Sequence, residues 1–217
     1  AALRNTGHES ITLPIYLPLS MDHIDQDSDI PVFYGAIGIY LKQQFKLLRS
    51  MPQWMERFFN SSFFLKMAAK RAGSTRAEGL EEMTISMLKG HDGYQAEGLE
   101  MLIDYLKNHE KPDVVHLSNA LLLGLAKELK EKLNVAVICS LQDEDVWIDA
   151  MRPDYVPVLW QLMAEKARDV DYFIAVSDYF AEVMKVKMQL PAEKVKTVYI
   201  GIDPSSYDFN EPDCKMP

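Results

Sequence analysis

The stretch from Val170 to Asp203 limits the fold more than any other part of the chain. It opens on Val170-Asp171-Tyr172-Phe173-Ile174-Ala175-Val176, a short apolar run rich in strand-forming residues. Ser177-Asp178 is a helix start, and an amphipathic segment follows it to Leu190. Pro191 begins a turn, Val195 to Ile200 is a second β-branched run, and Gly201-Ile202-Asp203 leads away. Strand, helix and strand in that order make one repeat of a parallel sheet. Runs without polar alternation predict strands covered on both faces.

The same grammar extends upstream. Ala1 to Gly7 reads as the end of a helix closed by Gly7, and Ser10 to Leu17 alternates as a strand interrupted by Pro14. Asp22 to Asp29 is a polar loop and Ile30 to Tyr34 a short strand ending at Gly35. Residues 36–76 are helical hairpin material broken at Met51-Pro52. Helices are expected over Glu78–Leu88 and Tyr94–His109, a buried strand over Val114–Leu117, and a helix over Leu121–Leu133 stopped at Asn134. A strand from Val135 to Leu141, an acidic loop and a helix from Tyr155 to Asp169 complete the pattern.

These elements predict an α/β, Rossmann-like doubly wound parallel sheet over 1–203, with a helical insert at about 36–109. The insert exceeds what one crossover needs. Residues 204–217, rich in Pro, Ser, Asp and Asn, read as a linker. A helix tail at residue 1 implies a further strand and Gly-rich turn before it.

Composition excludes several classes. Hydrophobic residues make up 48% and charged residues 25%, which suits a soluble globular protein. No apolar run approaches the roughly 18 residues of a spanning helix, and no signal-peptide pattern is present. The two cysteines, Cys139 and Cys214, make no disulfide framework, so a reducing, cytoplasmic setting is expected. The five histidines lack ligand spacing, so no metal is expected; Asp25 to Asp29 imitates a calcium loop but has Ile30 where the turn needs glycine.

A net charge of −9 argues against nucleic acid, yet residues 36–76 carry eight bases and one acid. Aromatics and methionines interleave with those bases, among them Tyr40, Trp54, Phe58, Phe59 and Phe63. One reading is peripheral contact with an anionic membrane face or a grip on a lipid-linked or phosphorylated acceptor. The other is an ordinary core-packed helix with a solvated basic face.

Chemistry in such sheets gathers beyond the carboxyl ends of the strands. Three ends carry polar groups. Ser118 and Asn119 either cap the next helix or also meet a ligand's polar group. Gln142, Asp143 and Glu144 stand at the second, where Asp143 either caps a helix or takes the hydrogen of a bound hydroxyl. Ser177 caps at the third, and Gly201 lets the chain turn close to a ligand.

Pro112-Asp113-Val114-Val115-His116, Gln142-Asp143 and the pairing of Ala175-Val176-Ser177 with Gly201-Ile202-Asp203 resemble the N-terminal, acceptor-side domain of GT-B, family-four-type (group 1) retaining glycosyltransferases. The resemblance spans nearly the whole chain and is strongest over 112–143 and 170–203. It implies transfer of a sugar from a nucleotide-sugar to an acceptor hydroxyl, without a metal or other cofactor. It also implies a second, donor-binding domain, without which this stretch would be inactive. Asp143 and Gln142 become the catalytic candidates, and Asn119, Ser118, Glu144, Ser177 and Gly201 the substrate-binding ones. Three positions depart from the family pattern: Ser118 and Gln142 stand where it has histidine, and Ile200 where it has asparagine. Gln142 can donate a hydrogen bond but cannot shuttle a proton. Two alternatives stay open, a non-catalytic sugar- or lipid-binding module of transferase origin and another GT-B-like enzyme such as a nucleotide-sugar epimerase.

Overall fold

The structure is a computed structural model of the chain and describes residues 2–13, 15 and 77–201. The expected strand at Ile30–Tyr34, the acidic loop at 22–29, the basic segment 36–76 and the linker 204–217 lie outside the described residues.

Among the described residues four parallel strands form the centre: β1 (Val114–Leu117), β2 (Ala136–Leu141), β3 (Tyr172–Ala175) and β4 (Val195–Thr197). Their spatial order is β1-β2-β3-β4, each paired with its sequence neighbour. The helices are α1 (Ala2–Asn5), α2 (Glu81–Lys89), α3 (Ala96–Tyr105), α4 (Ala126–Leu133), α5 (Glu144–Asp149), α6 (Val156–Lys166) and α7 (Asp178–Lys187). This is a Rossmann-like α/β fold. The strand order advances in one direction among the described residues.

One row of side chains crosses all four strands in register: Leu117, Cys139, Phe173 and Val195. All four are buried, and Cys139 is a free thiol. Val137, Leu141 and Ala175 are buried as well. The opposite face carries His116, Ile138, Ser140, Tyr172 and Ile174, none of them fully buried. Among the described residues burial alternates along each strand, and only Leu117 of β1 is buried. A run such as Val-Val-His-Leu has no polar alternation to reveal which face is dry.

Leu88, Leu99, Leu102 and Ile103 of α2 and α3 join this same core, so residues 77–110 pack as part of the domain rather than beside it. α2 lies against the turn Ala120–Leu125 and against α6. The seam depends on two glycines. A methyl group on Gly124 would sit 2.1 Å from the Met87 carbonyl oxygen, and one on Gly90 would sit 1.9 Å from the Gly124 oxygen.

Further differences from the sequence reading are local. Ser10–Leu13 and Ile15 form no strand, although Leu13 and Ile15 still pack on the core. The helix after β1 begins as a 3-10 turn over Ala120–Leu125 before α4. The acidic loop after β2 is instead the first turn of α5. Gly7 (φ 86) closes α1 as expected, with His8 N–H donating to the Leu3 carbonyl and Gly7 N–H to that of Arg4. Asn134 takes the left-handed conformation after α4 (φ 55).

The far edge of the sheet, where strands begin, is tied down by charged side chains. Asp171 accepts from Lys130 Nζ and the Val137 N–H, and Lys194 Nζ donates to the Arg168 and Val170 carbonyls. Burial raises the Asp171 carboxyl, but Lys130 and the Val137 amide together hold it below its ordinary value.

α7 ends in the same double hydrogen-bond motif as α1, with Leu190 N–H to the Lys185 carbonyl and Gln189 N–H to that of Val186. Its left-handed position is Gln189, φ 53. A residue with a Cβ is disfavoured there by about 1 kcal/mol relative to glycine. Gln189→Gly is therefore expected to raise stability by about 0.5 to 1 kcal/mol, read as a higher urea midpoint at unchanged slope.

Candidate functional site

Because the strands are parallel, their carboxyl ends emerge on one edge. Adjacent strands lie about 4.8 Å apart, so Ser118-Asn119, Gln142-Asp143 and Val176-Ser177 follow one another along that edge.

Asn119 has extended backbone (φ −157), and its side-chain oxygen accepts from Leu121 N–H at 3.1 Å. It is the cap of the Ala120–Leu125 turn, with its amide nitrogen 3.5 Å from Ser118 Oγ. Ser118 is exposed. Ser177 caps α7 by accepting from Phe180 N–H at 3.2 Å. Beside it, Asp178 accepts from the Tyr199 hydroxyl at 2.7 Å. Hydrogen bonds from Thr197 and Tyr199 hold the Asp178 carboxyl below its ordinary value. Gly201 is exposed, and nothing lies within 4 Å of where its Cβ would be.

The second strand end is where the three carboxylates divide their work. Asp143 occupies the N-cap position of α5 but its side chain makes no cap hydrogen bond, and it is exposed. Its carboxylate thus faces solvent at this edge. Gln142 is also exposed, and its side-chain amide donates to the Ser118 carbonyl at 2.9 Å. Glu144 behaves differently. It is only 2% exposed, Oε1 accepts from Ala120 N–H at 2.7 Å, and Oε2 accepts from Gln142 N–H at 2.8 Å. Burial raises its carboxyl above the ordinary value against the pull of three backbone amides, and Asp143 adds to the rise. Glu144, expected among the substrate contacts, here has both oxygens facing backbone amides.

The structure therefore joins the β1 and β2 ends by direct hydrogen bonds, and the β3 and β4 ends by Val198 N–H to the Ala175 carbonyl. Sequence reasoning missed the role of Glu144, because three adjacent acids give no sign of which one turns inward. It also missed Tyr199 as a partner of Asp178. On the opposite sheet face, partly exposed among the described residues, His116 Nε2 lies 2.8 Å from Ser140 Oγ, one strand over and just below this edge. Burial lowers the His116 pKa, so the neutral ring is favoured.

No group of three or more His, Cys, Asp or Glu side chains is arranged to hold a metal among the described residues. No helix among them is long and apolar enough to cross a membrane. Among the described residues the edge offers an exposed carboxylate spent on no cap, several hydroxyl and amide groups, and two capped helix starts. The model of Glycosyltransferase Family 4 matches residues 84–206, more than half of the chain. The chain belongs to that family. No curated protein and no solved structure gives a match. The family-four match starts within α2 and covers every described strand, so the edge just described lies inside it.

Proposed function

We propose that this family-four chain is the acceptor-side part of a glycosyltransferase that moves a sugar from a nucleotide-sugar to an acceptor hydroxyl with retention at the anomeric carbon. The observation that carries this reading is Asp143: a carboxylate at the carboxyl end of a central parallel strand, exposed and spent on no cap. A carboxylate so placed can accept the hydrogen of the incoming hydroxyl as its oxygen attacks. Asn119, Ser118, Ser177 and Gly201 line the same edge as sugar contacts. The leaving nucleoside diphosphate is stabilised by groups outside these residues, and no metal or other cofactor is needed by the chemistry described.

A second reading is a sugar-binding module without turnover. Gln142 favours it, because its amide is occupied by the Ser118 carbonyl and it has no proton to exchange.

One experiment separates the two. The full-length protein is incubated with a panel of UDP- and GDP-hexoses and a set of alkyl hexosides, with product anomers assigned by NMR. A product whose new linkage keeps the donor's anomeric configuration is expected. Hexoside binding with no product from any donor supports the module instead, and neither binding nor product overturns both.

A further inference from the structure

Glu144 sits at the start of a six-residue helix, yet its carboxylate does not serve that helix alone. Its two oxygens reach two different loops, Ala120 after β1 and Gln142 after β2, whose positions differ by 22 residues. The Gln142 side chain crosses the same gap in the other direction to the Ser118 carbonyl. Together they close a ring: the backbone from Ser118 to Ala120, the Glu144 carboxylate, the Gln142 backbone and the Gln142 side chain. Asn119 lies in that ring's first arc, and Asp143 lies in the short turn between Gln142 and Glu144 that the Gln142 N–H bond to Glu144 Oε2 closes. The distance between the two groups proposed to hold an acceptor is therefore set by a carboxylate that meets no solvent.

We propose that Glu144 is the positioning residue of this edge: its ionised carboxylate fixes the loop after β1 against the loop after β2 and so holds Asn119 and Asp143 at the spacing an acceptor saccharide requires. This rests on the acceptor-side reading given above. The choice of residue type supports it. A glutamine in its place keeps the volume but turns an NH2 group toward one of the two amide N–H groups, donor against donor, and releases one loop. An ionised carboxylate accepts from both at once.

The ionised form is also costly here, since burial and Asp143 both work against it. A group whose folded pKa is raised stabilises the fold most when protonated, and that contribution is lost as pH rises from the ordinary value of 4.5 through the folded value. A buried charge kept at such a cost is expected where it serves function. The titratable group acting on it is Asp143, at the N-cap of its helix, and Glu144 in turn raises the buried Cys139 thiol on β2. From the β1 side, among the described residues, it faces the uncharged Ser118-Asn119-Ala120 loop and the apolar turn Ala120–Leu125.

The test is an NMR pH titration of the native chain. The Ala120 and Gln142 amide protons are expected to shift together, with a single midpoint above 4.5, while the Leu121 amide, held by the Asn119 side chain, does not follow them. In Glu144→Gln the shared midpoint is absent, and the Ser118–Ala120 amides move. Binding of methyl α-D-glucoside and methyl α-D-mannoside, followed by saturation transfer, is expected to be at least about tenfold weaker in Glu144→Gln at neutral pH. In the native chain that binding falls as pH drops through the shared midpoint; in Glu144→Gln its pH profile is flat there. Two amides titrating independently, or a glutamine variant that binds both glycosides as the native chain does, would overturn the proposal. Should Glu144→Gln fail to fold, the native titration decides alone. Native protein that binds neither glycoside counts against the acceptor-side reading, and the paired titration still decides the strut.

Discussion

Gly124→Ala is expected to lose about 3 kcal/mol or more of stability, seen as a Tm lower by at least about 6 °C and a matching drop in urea midpoint. The added methyl would lie 2.1 Å from the Met87 oxygen, 2.7 Å from the Gly90 nitrogen and 2.8 Å from the Leu88 oxygen. All three are backbone atoms, which cannot swing aside as the end of a flexible side chain can. Relief would require α2 to back away from the Ala120–Leu125 turn, opening a core that includes Leu88 and Leu123. Gly90→Ala should cost at least as much, because its φ of 60 adds backbone strain to a 1.9 Å clash with the same turn. Gly201→Ala is the control: it meets nothing within 4 Å and should stay within about 0.5 kcal/mol of the native protein. A Gly124→Ala protein as stable as that control would show that α2 does not press on this turn.

The second large effect is catalytic. Asp143→Asn in the full-length protein is expected to lower kcat by about 10² to 10⁴, the usual contribution of a positioned base, with little change in Tm. The substitution keeps shape and one acceptor oxygen but removes the charge. Stability should hold because the native carboxylate makes no cap hydrogen bond and is exposed. Asp145→Asn, two residues on in α5, should leave kcat within about twofold. Unchanged turnover in Asp143→Asn would remove Asp143 from the reaction.

Much of the fold was readable because local signals agreed. Val170–Ala175, Ser177 and the β-branched run at Val195 each favour the element they form, and the Ser177 hydroxyl does cap α7. Asn134 and Gly7 mark helix ends because few residues tolerate the conformation those ends require. Where the reading failed, the deciding contact was distant in sequence. Nothing within Asp143-Glu144-Asp145 tells that Glu144 is drawn inward by an amide at Ala120. Ala120–Leu125 is apolar enough for an α-helix, but Gly90 and Met87 press on it through Gly124 and it begins as a tighter turn. Val114 and His116 of β1 looked buried by composition; their face is exposed among the described residues. The site shows the same division. Caps at Asn119 and Ser177 follow from residue type, whereas the freedom of Asp143 follows from geometry alone.

The ion pairs and carbonyl contacts of Asp171 and Lys194 anchor the sheet at the edge opposite the carboxyl ends of its strands. Securing the scaffold and, in the function proposed above, handling the sugar thereby fall to opposite rims. Descendants of such a chain can exchange residues at one rim and acquire a new substrate preference while the other keeps them foldable. In that sense the protein is built to be revised.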